Sequence, residues 1–449
     1  MSAKPTPLSG FPELLPEQRI VEQQIIDTLR HTFELYGFGN LETRAVEPLD
    51  QLLRKGDTSK EVYLLRRLHE ESAEGHAGMG LHFDLTVPFA RYVLENAGKL
   101  EFPFRRHQIQ RVWRGERPQE GRFREFLQAD IDVVGRDVLP FHHDVEVARV
   151  MVDALTRLDF LPAFRLQVNN RKLIQGFYLG LGITEPDEVM RLVDKLDKLP
   201  AEKVHELLVT EAGVDAATAD RVLALATISA ADDSFVARVR ELGVEHPLLD
   251  EGLDELARLV TGVADLTSPQ VRVEADLAIA RGLDYYTGTV FETRLEGYES
   301  LGSICSGGRY DALASDGRST YPGVGISLGV SRVVVPLIAR TGLVADRKVP
   351  SVVLVALADE ESRAESDTIA AALRARDIPC EVAAAAQRFG KQIRYAERRG
   401  IPYVWFRSVA EDGAVTDEVK DIRSGNQFAA DAATWQPPAE DLRPRITRG

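Results

Sequence analysis

The residues of this sequence that could do chemistry are arginines and carboxylates on either side of a short polar turn. Arg114 and Glu116 precede the turn, and Arg122 and Phe126 follow it. A guanidinium stays charged and offers a planar set of N–H donors that pair with phosphate oxygens two at a time. Two strands around this turn would direct the guanidiniums to a place where a polyphosphate could lie. Structural salt bridges would explain the same spacing equally well.

The sequence lacks a Walker-type phosphate loop, and it lacks the histidine that a hydrolase turn needs. Each Gly-Lys pair lacks the Ser or Thr that follows the lysine in a Walker loop. The run 325–329 matches Gly-x-Ser-x-Gly, but such a hydrolase needs a later histidine, and the last one is His246. The nine histidines lack metal-ligand spacing, and Cys305 and Cys380 form no Cys-x-x-Cys pair. We therefore expect a nucleotide to be held in another way, and we predict no protein-built metal centre.

Residues 124–135 alternate as a β-strand does. One set of alternate positions, from Leu127 to Val133, is apolar and predicts a face that contacts a core. The other set consists of Phe126, Gln128, Asp130 and Asp132. Carboxylates beside an aromatic ring would suit the floor of a binding site. An ordinary solvent-exposed face explains the pattern as well.

The rest of the chain shows three kinds of sequence pattern. A helix from about Pro16 to Tyr36 carries an apolar stripe, and strand-like segments near Val271, at 289–295 and at 323–329 predict an antiparallel sheet. An acidic helical stretch lies between these parts, and from residue 350 strands alternate with helices as in a small α/β domain. The predicted domains are a first domain at 1–183 and 267–341, a helical insertion at 184–266, and a third domain at 347–449.

Charge and hydropathy restrict the class of protein. The net charge of −15 excludes a chain coated with basic surface, so nucleic acid could bind only at local patches. Two such patches are the seven arginines of 105–124 and the basic cluster of 388–399, although solvated charged faces explain both equally well. No run approaches the roughly 18 apolar residues of a membrane span. The first ten residues lack a signal-peptide pattern, so we expect a folded cytoplasmic protein.

Several segments carry a family resemblance. Residues 114–128 resemble motif 2 of the class II aminoacyl-tRNA synthetases, and residues 325–332 resemble their motif 3. Within that class, segments 83–92, 281–292 and 307–311 are similar to histidyl-tRNA synthetases, and the run that begins Arg281-Gly-Leu-Asp-Tyr-Tyr is their signature peptide. The resemblance covers nearly the whole chain. It implies an α+β catalytic core, in which helices flank an antiparallel sheet, with a helical insertion domain and a C-terminal α/β anticodon-binding domain.

The resemblance also implies roles for individual residues in binding ATP and histidine. The ATP site would consist of Arg114, Glu116, Arg122, Phe126 and Arg332. The histidine site would consist of Asp84, Thr86, Gln128, Asp132, Tyr285 and Tyr286, of which Asp132 and Tyr286 would read the imidazole. Arg114 and Arg281 would be the catalytic residues. Magnesium is expected on the outer phosphates of ATP, which is a substrate.

The implied partners are L-histidine, ATP, tRNA(His) and a second copy of the chain, with no membrane. Contacts with the tRNA would come from Arg117 and Gln119 near its acceptor end, and from Lys391, Arg394 and Arg398 on one face of a C-terminal helix. At helical spacings of three and four, these three side chains share a face that could meet backbone phosphates. Plain surface charge is the alternative for that face.

The alternatives are a non-catalytic regulatory paralogue that binds ATP phosphoribosyltransferase, and a class II synthetase for proline, threonine or glycine. The signature peptide argues against both, and the C-terminal domain argues against the paralogue. Three places depart from the family pattern. Arg44 replaces the motif 1 proline at the expected dimer interface, Ser331 replaces an acidic residue before Arg332, and residues 406–408 lack the usual Gly and Glu.

Overall fold

The structure is a computed structural model that describes residues 6–53, 61–67, 78–279, 286–311, 314–315, 317–409 and 414–448. The chain divides into two compact units. The first comprises Met1–Pro12 and Ile25–Val335, and the second comprises Glu13–Gln24 and Pro336–Gly449. Within the described residues, no helix is long and apolar enough to cross a membrane.

The helices follow the apolar periodicity of the sequence. They are α1 (Pro16–Leu35), α2 (Leu49–Leu52), α3 (Thr86–Asn96), α4 (His142–Thr156), α5 (Arg171–Gly180), α6 (Pro186–Val193), α7 (Ala201–Thr210), α8 (Ala216–Ala226), α9 (Phe235–Glu241), α10 (Pro247–Val263), α11 (Val330–Thr341), α12 (Arg363–Arg374) and α13 (Phe389–Arg399). In α1 the predicted stripe is buried, and Leu29 and Phe33 are fully inaccessible. The helix is followed by Gly37, whose φ of 77° is in the left-handed region that glycine favours.

The strands range from two to ten residues in length. They are β1 (Gly39–Asn40), β2 (Val46–Pro48), β3 (Leu64–Leu65), β4 (Met79–Leu81), β5 (Phe104–Trp113), β6 (Glu125–Val134), β7 (Phe164–Asn170), β8 (Ser229–Ala230), β9 (Val271–Asp276), β10 (Thr289–Leu295), β11 (Cys305–Tyr310), β12 (Gly323–Gly329), β13 (Leu343–Ala345), β14 (Val353–Val355), β15 (Cys380–Val382), β16 (Tyr403–Val409), β17 (Val415–Asp421), β18 (Gln427–Ala429) and β19 (Ile446–Arg448).

In the described part of the first unit, nine strands form one sheet in the order β1-β5-β6-β12-β11-β10-β7-β9-β8. The central pairs from β5 to β7 are antiparallel, and the two pairs β1–β5 and β7–β9 are parallel. Strands β5 and β6 pair over their full ten residues, from Phe104 opposite Val134 to Trp113 opposite Glu125. The predicted α+β core with an antiparallel sheet and flanking helices is confirmed.

Strand β6 is buried on both faces. Leu127, Ala129, Ile131 and Val133 are at most 8% exposed, and helix α4 packs on β6 and β12. The opposite face is also closed, since Gln128, Asp130 and Asp132 are at most 5% exposed. The alternative of a solvent-exposed polar face is therefore wrong. Buried polar groups must find partners, which makes this face the place to look for a site.

Segment 184–266 consists mainly of helices α6 to α10 and lies within the first compact unit. Phe235, its only aromatic residue, is fully buried together with Val204, Leu208 and Val222. Helix α10 also packs against α5, the helix that directly follows the sheet strand β7 along the chain. The boundaries of a separate insertion domain therefore stay a prediction.

The second unit contains the alternating strands and helices expected from its sequence. Its five-stranded sheet has the order β15-β14-β16-β17-β18, in which β14 runs parallel to both β15 and β16. Trp405 on β16 is fully buried, and the core continues through Ile369 and Leu373 of α12. Helix α13 ends at Gly400, whose φ of 74° gives the left-handed cap that stops a helix.

Candidate active site

One face of the nine-stranded sheet carries a cavity of about 320 Å³. The side chains around it come from β6, β10, β11 and β12, from the loop between β5 and β6, and from the starts of α3 and α11. It is lined by Asp84, Thr86, Arg114, Glu116, Gly121, Arg122, Phe123, Phe126, Gln128, Tyr286, Val290, Phe291, Glu292, Ser303, Ile304, Ser306, Gly307, Ser327, Gly329 and Arg332. Nine of the residues predicted to bind ATP or histidine are therefore brought together.

Arg114 and Phe126 form one wall. Arg114 directly follows β5, and its Nε donates a 3.0 Å hydrogen bond to the carbonyl oxygen of Phe83. The guanidinium carbon of Arg114 lies 5.1 Å from the centroid of the Phe126 ring. This contact orients the guanidinium, while the bond through Nε leaves the two terminal nitrogens to face a ligand. The arrangement suits a ligand whose anionic group binds the arginine and whose planar ring stacks on Phe126.

The loop between β5 and β6 is a tight polar turn. Gln119 and Arg122 pair as an isolated bridge across it, with mutual backbone hydrogen bonds of 3.1 and 2.9 Å. Arg122 faces Glu116 at 3.6 Å between Nη1 and Oε2, and both line the cavity. Arg117 and Gln119 are exposed outside the lining, as a contact with a large partner requires.

Arg332, near the start of α11, closes the opposite side of the cavity. It is held by hydrogen bonds to two carbonyl oxygens, from Nε to Gly121 at 3.0 Å and from Nη1 to Ser303 at 2.6 Å. Burial lowers the pKa of Arg332 to about 10, and the charges of Arg114 and Arg122 act in the same direction. Three guanidiniums thus converge on one cavity, and a polyanion would relieve their repulsion.

Ser331 has a structural role that the sequence did not show. It is buried, and its hydroxyl oxygen accepts a 2.9 Å hydrogen bond from the backbone N–H of Leu127. The serine that replaces the family's acidic residue therefore ties the start of α11 to β6. Arg332 is oriented by the two carbonyl oxygens and does not need a neighbouring carboxylate.

The deeper end of the cavity is polar and suits a small zwitterion. Asp84 precedes α3 and is 3% exposed, and its Oδ1 accepts a 3.1 Å hydrogen bond from the backbone N–H of Val87. Gln128 donates to Asp130 at 2.9 Å and to the Ser327 hydroxyl at 3.1 Å. Such bonds fix the side-chain amide, so its position is set before a ligand arrives.

Asp132 is on the same face of β6 as Gln128 but is not among the residues that line the cavity. Its two oxygens are engaged by Arg106 Nη2 at 2.7 Å and by the hydroxyl of Tyr310, which donates at 2.8 Å. Arg106 is fully buried, and its guanidinium carbon lies 4.4 Å from the centroid of the Phe89 ring. The proposed imidazole contact of Asp132 stays a prediction. The burial of Arg106 also shows that the 105–124 arginines do not form one basic surface.

Strand β12 makes room for Asp132 with a glycine. An alanine Cβ at Gly325 would lie 2.2 Å from Asp132 Oδ1 and 2.6 Å from the carbonyl oxygen of Ile131. We therefore expect Gly325→Ala to lower the free energy of unfolding by about 1 to 3 kcal/mol and to raise KM for the amino acid. Urea unfolding and steady-state kinetics would measure both. Gly98→Ala is the matched control, since nothing lies within 4 Å of that Cβ, and equal losses in both variants would contradict the prediction.

Asp132 should also make stability depend on pH. Burial raises its pKa from 3.8 to about 7, against the opposing charge of Arg106. The folded state therefore keeps a proton that the unfolded state loses, so this contribution to stability is present at low pH and disappears as pH rises through about 7. Relative to Asp132→Asn, the free energy of unfolding of the wild type should fall by up to about 1.4 kcal/mol per pH unit between about pH 4 and 7. Urea unfolding would measure this free energy at each pH. The same pH dependence in both proteins would contradict the prediction.

Sequence reasoning missed four polar residues of the cavity, which are Glu292, Ser303, Ser306 and Ser327. Glu292, on β10, is 4% exposed, and Ser327 was considered only as a hydrolase nucleophile. A carboxylate that directly follows the apolar pair Val290 and Phe291 in a buried strand was the signal for Glu292. Two predicted residues, Arg281 and Tyr285, lie outside the described residues.

The second unit carries the predicted basic helix face. Lys391, Arg394 and Arg398 of α13 are exposed and line a groove of about 530 Å³ together with Gln387 and Tyr395. The structure thus places the three cations on one side of one helix, beside an aromatic ring. Such a surface suits contact with a phosphate backbone and an unstacked base.

Comparisons with known proteins agree with this geometry. A family model described as "Histidyl-tRNA synthetase" matches residues 10–333, and one described as "Anticodon binding domain" matches residues 351–427. A histidine–tRNA ligase of Cutibacterium acnes is 57% identical, with 99% of each chain covered. A histidyl-tRNA synthetase crystal structure from a Nostoc species has a TM-score of 0.84 at 33% identity, covering 96% of this chain and 98% of that one.

A third comparison shares the fold alone. It is a structure from Bacillus halodurans, titled an ATP phosphoribosyltransferase regulatory subunit/histidyl-tRNA synthetase, with a TM-score of 0.70 at 20% identity and coverage of 87% and 96%. The antiparallel sheet with its arginine-lined cavity defines a class II aminoacyl-tRNA synthetase. Within that class, the chain belongs to the histidyl-tRNA synthetase family. The predicted family is confirmed.

Proposed function

We propose that this chain activates L-histidine with ATP to histidyl-adenylate and transfers the histidyl group to the 3′ end of tRNA(His). The observation that carries the proposal is one cavity that joins three guanidiniums to a buried carboxylate. The guanidiniums suit a triphosphate, and the carboxylate suits an ammonium group. Family membership supports this activity over that of a non-catalytic regulatory paralogue.

In the activation step, a carboxylate oxygen of histidine forms a bond to the α-phosphorus of ATP. The bond from that phosphorus to the bridging oxygen of the β-phosphate breaks, and pyrophosphate leaves with the electron pair. Negative charge grows on the α-phosphoryl oxygens in the transition state, and the terminal nitrogens of Arg114 would stabilise it. Arg281, which the signature peptide assigns to the same task, stays a prediction from the sequence.

The walls of the cavity would hold ATP. Phe126 would stack on the adenine, and Glu116 would accept a hydrogen bond from its amino group. Arg122 and Arg332 would hold the outer phosphates, a role supported by the lowered pKa of Arg332. Their guanidiniums would then be neutralised by ligand instead of repelling one another.

The deeper end would hold histidine. Asp84 would pair with the ammonium group, with Thr86 beside it, and Gln128 would contact the carboxylate end. Asp132 and Tyr286 would read the two imidazole nitrogens, because a charged acceptor and a phenolic hydroxyl can serve both. An amino acid that leaves these buried groups unpaired would be rejected far more strongly than one that lacks a methylene.

Magnesium would bind with ATP. This ion usually takes one or two carboxylates and otherwise phosphate oxygens and water. The buried carboxylate of Glu292 lines the cavity with the arginines, so the residues present fit such an ion. When bound, magnesium would neutralise charge on the leaving pyrophosphate.

The active form would be a homodimer. Leu64, Leu65 and Met79, on the small sheet of β2, β4 and β3, are 37% to 66% exposed. Exposed apolar residues grouped on one sheet support an interface there. Arg44, at the motif 1 position, pairs with the buried Glu47 at 2.9 Å and need not disrupt it. Sedimentation at micromolar concentration would show two chains, and a monomer would overturn this part.

Contacts with tRNA would come from Arg117 and Gln119 on the exposed turn and from α13. Neutralising Lys391, Arg394 and Arg398 together should raise KM for tRNA about tenfold or more, because their contacts with phosphates would be lost. The slope of the logarithm of the binding constant against the logarithm of the salt concentration should also become smaller, by about 0.7 to 0.9 for each lost contact. Histidine-dependent pyrophosphate exchange should not change. The matched control is Arg363→Gln on α12, which removes an arginine whose side chain is 35% exposed and paired with Glu360. Equal KM for tRNA in the triple variant and control would contradict the assignment.

The activity is tested by exchange of labelled pyrophosphate into ATP, measured with each of the twenty amino acids. Exchange with histidine alone is expected. Exchange with proline, threonine or glycine would overturn the amino-acid assignment. Histidine binding without any exchange would point to a regulatory paralogue and overturn the enzymatic assignment.

A further inference from the structure

A second arginine-lined cavity, of about 340 Å³, lies within the C-terminal unit, and it shares Glu397 of α13 with the lining of the groove assigned to tRNA. It is lined by Asp346, Arg347, Glu397, Gly400, Ile401, Pro402, Ile422, Arg423, Asp441, Arg443 and Arg445. The four arginines of this set, Arg347, Arg423, Arg443 and Arg445, are called the arginine cluster below. Nothing in the proposed activation chemistry uses them.

Arg347 is the unusual member of the cluster. It is 4% exposed, and its Nη2 donates a 2.8 Å hydrogen bond to the carbonyl oxygen of Asp441. Its Nε is buried and has no hydrogen-bond partner among the described residues. Within the described parts of the chain, no carboxylate oxygen lies within salt-bridge distance of its guanidinium. Buried charges in proteins are normally paired, because an unpaired one costs several kcal/mol.

The carboxylates of the cavity are committed to other arginines. Asp441 is held by Arg423 through two hydrogen bonds of 2.8 and 2.7 Å, and by the Tyr403 hydroxyl at 2.8 Å. Asp346 accepts from Arg445 through its backbone N–H at 3.0 Å and its Nε at 3.2 Å. The remaining acid, Glu397, is exposed on α13.

Two cations of the cluster therefore remain available to a ligand. Arg347 is buried at the wall of the cavity, and Arg443 is exposed at its surface. Burial lowers the pKa of Arg347, and Arg445 and Arg423 act in the same direction against Asp346 and Asp441. The tight packing of Gly400 fixes the wall, since a Cβ there would lie 2.7 Å from the Cα of Arg347. A rigid guanidinium at the wall of a cavity, without a carboxylate partner among the described residues, is a preorganised anion site.

We propose that the arginine cluster binds a phosphate group. Paired guanidiniums match the oxygens of a phosphate, and the cavity has room for an attached sugar. The phosphate could belong to a backbone phosphodiester of the tRNA or to a free phosphate. The first source rests on the proposed function, and the second does not.

The site is tested first by thermal unfolding of the full chain in inorganic phosphate or chloride at equal ionic strength. The proteins are the wild type, Arg347→Met, Arg443→Gln and the control Arg363→Gln. Phosphate bound at the cluster should raise Tm of the wild type and control by about 2 °C more than that of the two cluster variants. Any phosphate that binds in the ATP cavity should raise Tm equally in all four proteins. In chloride, Arg347→Met should be as stable as the wild type or more so.

The source is tested by tRNA binding as a function of salt. If the ligand is a backbone phosphodiester, both cluster variants should bind tRNA about three- to tenfold more weakly. The slope of the logarithm of their binding constant against the logarithm of the salt concentration should be smaller by about 0.7 to 0.9. If it is a free phosphate, the Tm difference appears with unchanged tRNA binding. Equal Tm shifts and equal tRNA binding in all four proteins would overturn the proposal. Because Arg443 is exposed, its variant keeps this test valid even if Arg347→Met does not fold.

Failure of this proposal can be told apart from failure of the proposed function. Histidine-dependent pyrophosphate exchange needs no tRNA, and we expect it to be equal in the wild type and both cluster variants. A wild type without exchange would overturn the proposed function, whereas the phosphate-dependent Tm difference would still report on the arginine cluster.

Discussion

Replacing Arg114 with alanine is expected to lower kcat/KM for histidine-dependent pyrophosphate exchange by about 10² to 10³-fold. A preorganised donor aimed at developing charge typically contributes that much. Arg114 is preorganised because Nε is bonded to the Phe83 carbonyl oxygen and the guanidinium packs on Phe126. The loss should fall mainly on kcat, since the charge that it stabilises grows only in the transition state.

Arg114→Lys should recover part of the loss, because an ammonium group restores the charge but not the planar pair of donors. The matched control is Arg117→Ala. Arg117 is three residues away on the same turn but is exposed and outside the cavity lining. It should leave exchange unchanged and reduce aminoacylation of tRNA. Arg114→Ala with normal exchange would remove Arg114 from the chemistry.

The second large effect is expected at Asp84. Asp84→Asn should raise KM for histidine by about 10²-fold or more, because the histidine ammonium group would lose its buried carboxylate partner. The substitution is nearly isosteric. The asparagine Oδ1 can still accept the hydrogen bond that Asp84 takes from the Val87 N–H at 3.1 Å, so the start of α3 should stay in place.

Inhibition by imidazolepropionate, which lacks the amino group of histidine, shows whether Asp84→Asn has lost recognition of the ammonium group or has damaged the whole pocket. It should inhibit the wild type and Asp84→Asn with similar constants, because it cannot use the carboxylate. Asp187→Asn is the control, since that aspartate is 73% exposed on α6 and pairs with Arg171. If Asp84→Asn weakened imidazolepropionate and histidine equally, the ammonium role of Asp84 would be wrong.

The sequence was sufficient for features that depend on neighbours along the chain. Alternation in residues 124–135 predicted β6, the apolar stripe predicted α1, and the spacing of Lys391, Arg394 and Arg398 put them on one helix face. These patterns follow from the strand period of 2 and the helix period of 3.6. The family motifs, which are contiguous runs, also predicted nine of the twenty residues that line the cavity.

Tertiary structure decided the features that depend on pairing between distant segments. Arg106 and Asp132 are opposite each other in the register of β5 and β6, and Tyr310 reaches the same carboxylate from β11. No local pattern distinguishes this buried arginine from the exposed Arg117, which lies eleven residues later in the turn after β5. The charge of Arg106 is tolerated because the fold supplies Asp132 as its partner.

The same distinction separates the two arginine sites. Arg114, Arg122 and Arg332 could be predicted together because each lies in a motif that belongs to a family. Arg347 and Arg443 are 96 residues apart, neither lies in a family motif described above, and only the fold brings them to one cavity. Sequence periodicity thus determined the elements, and the family resemblance determined the motif residues. The packing of distant segments determined which charges are buried, which are paired and which remain available to a ligand.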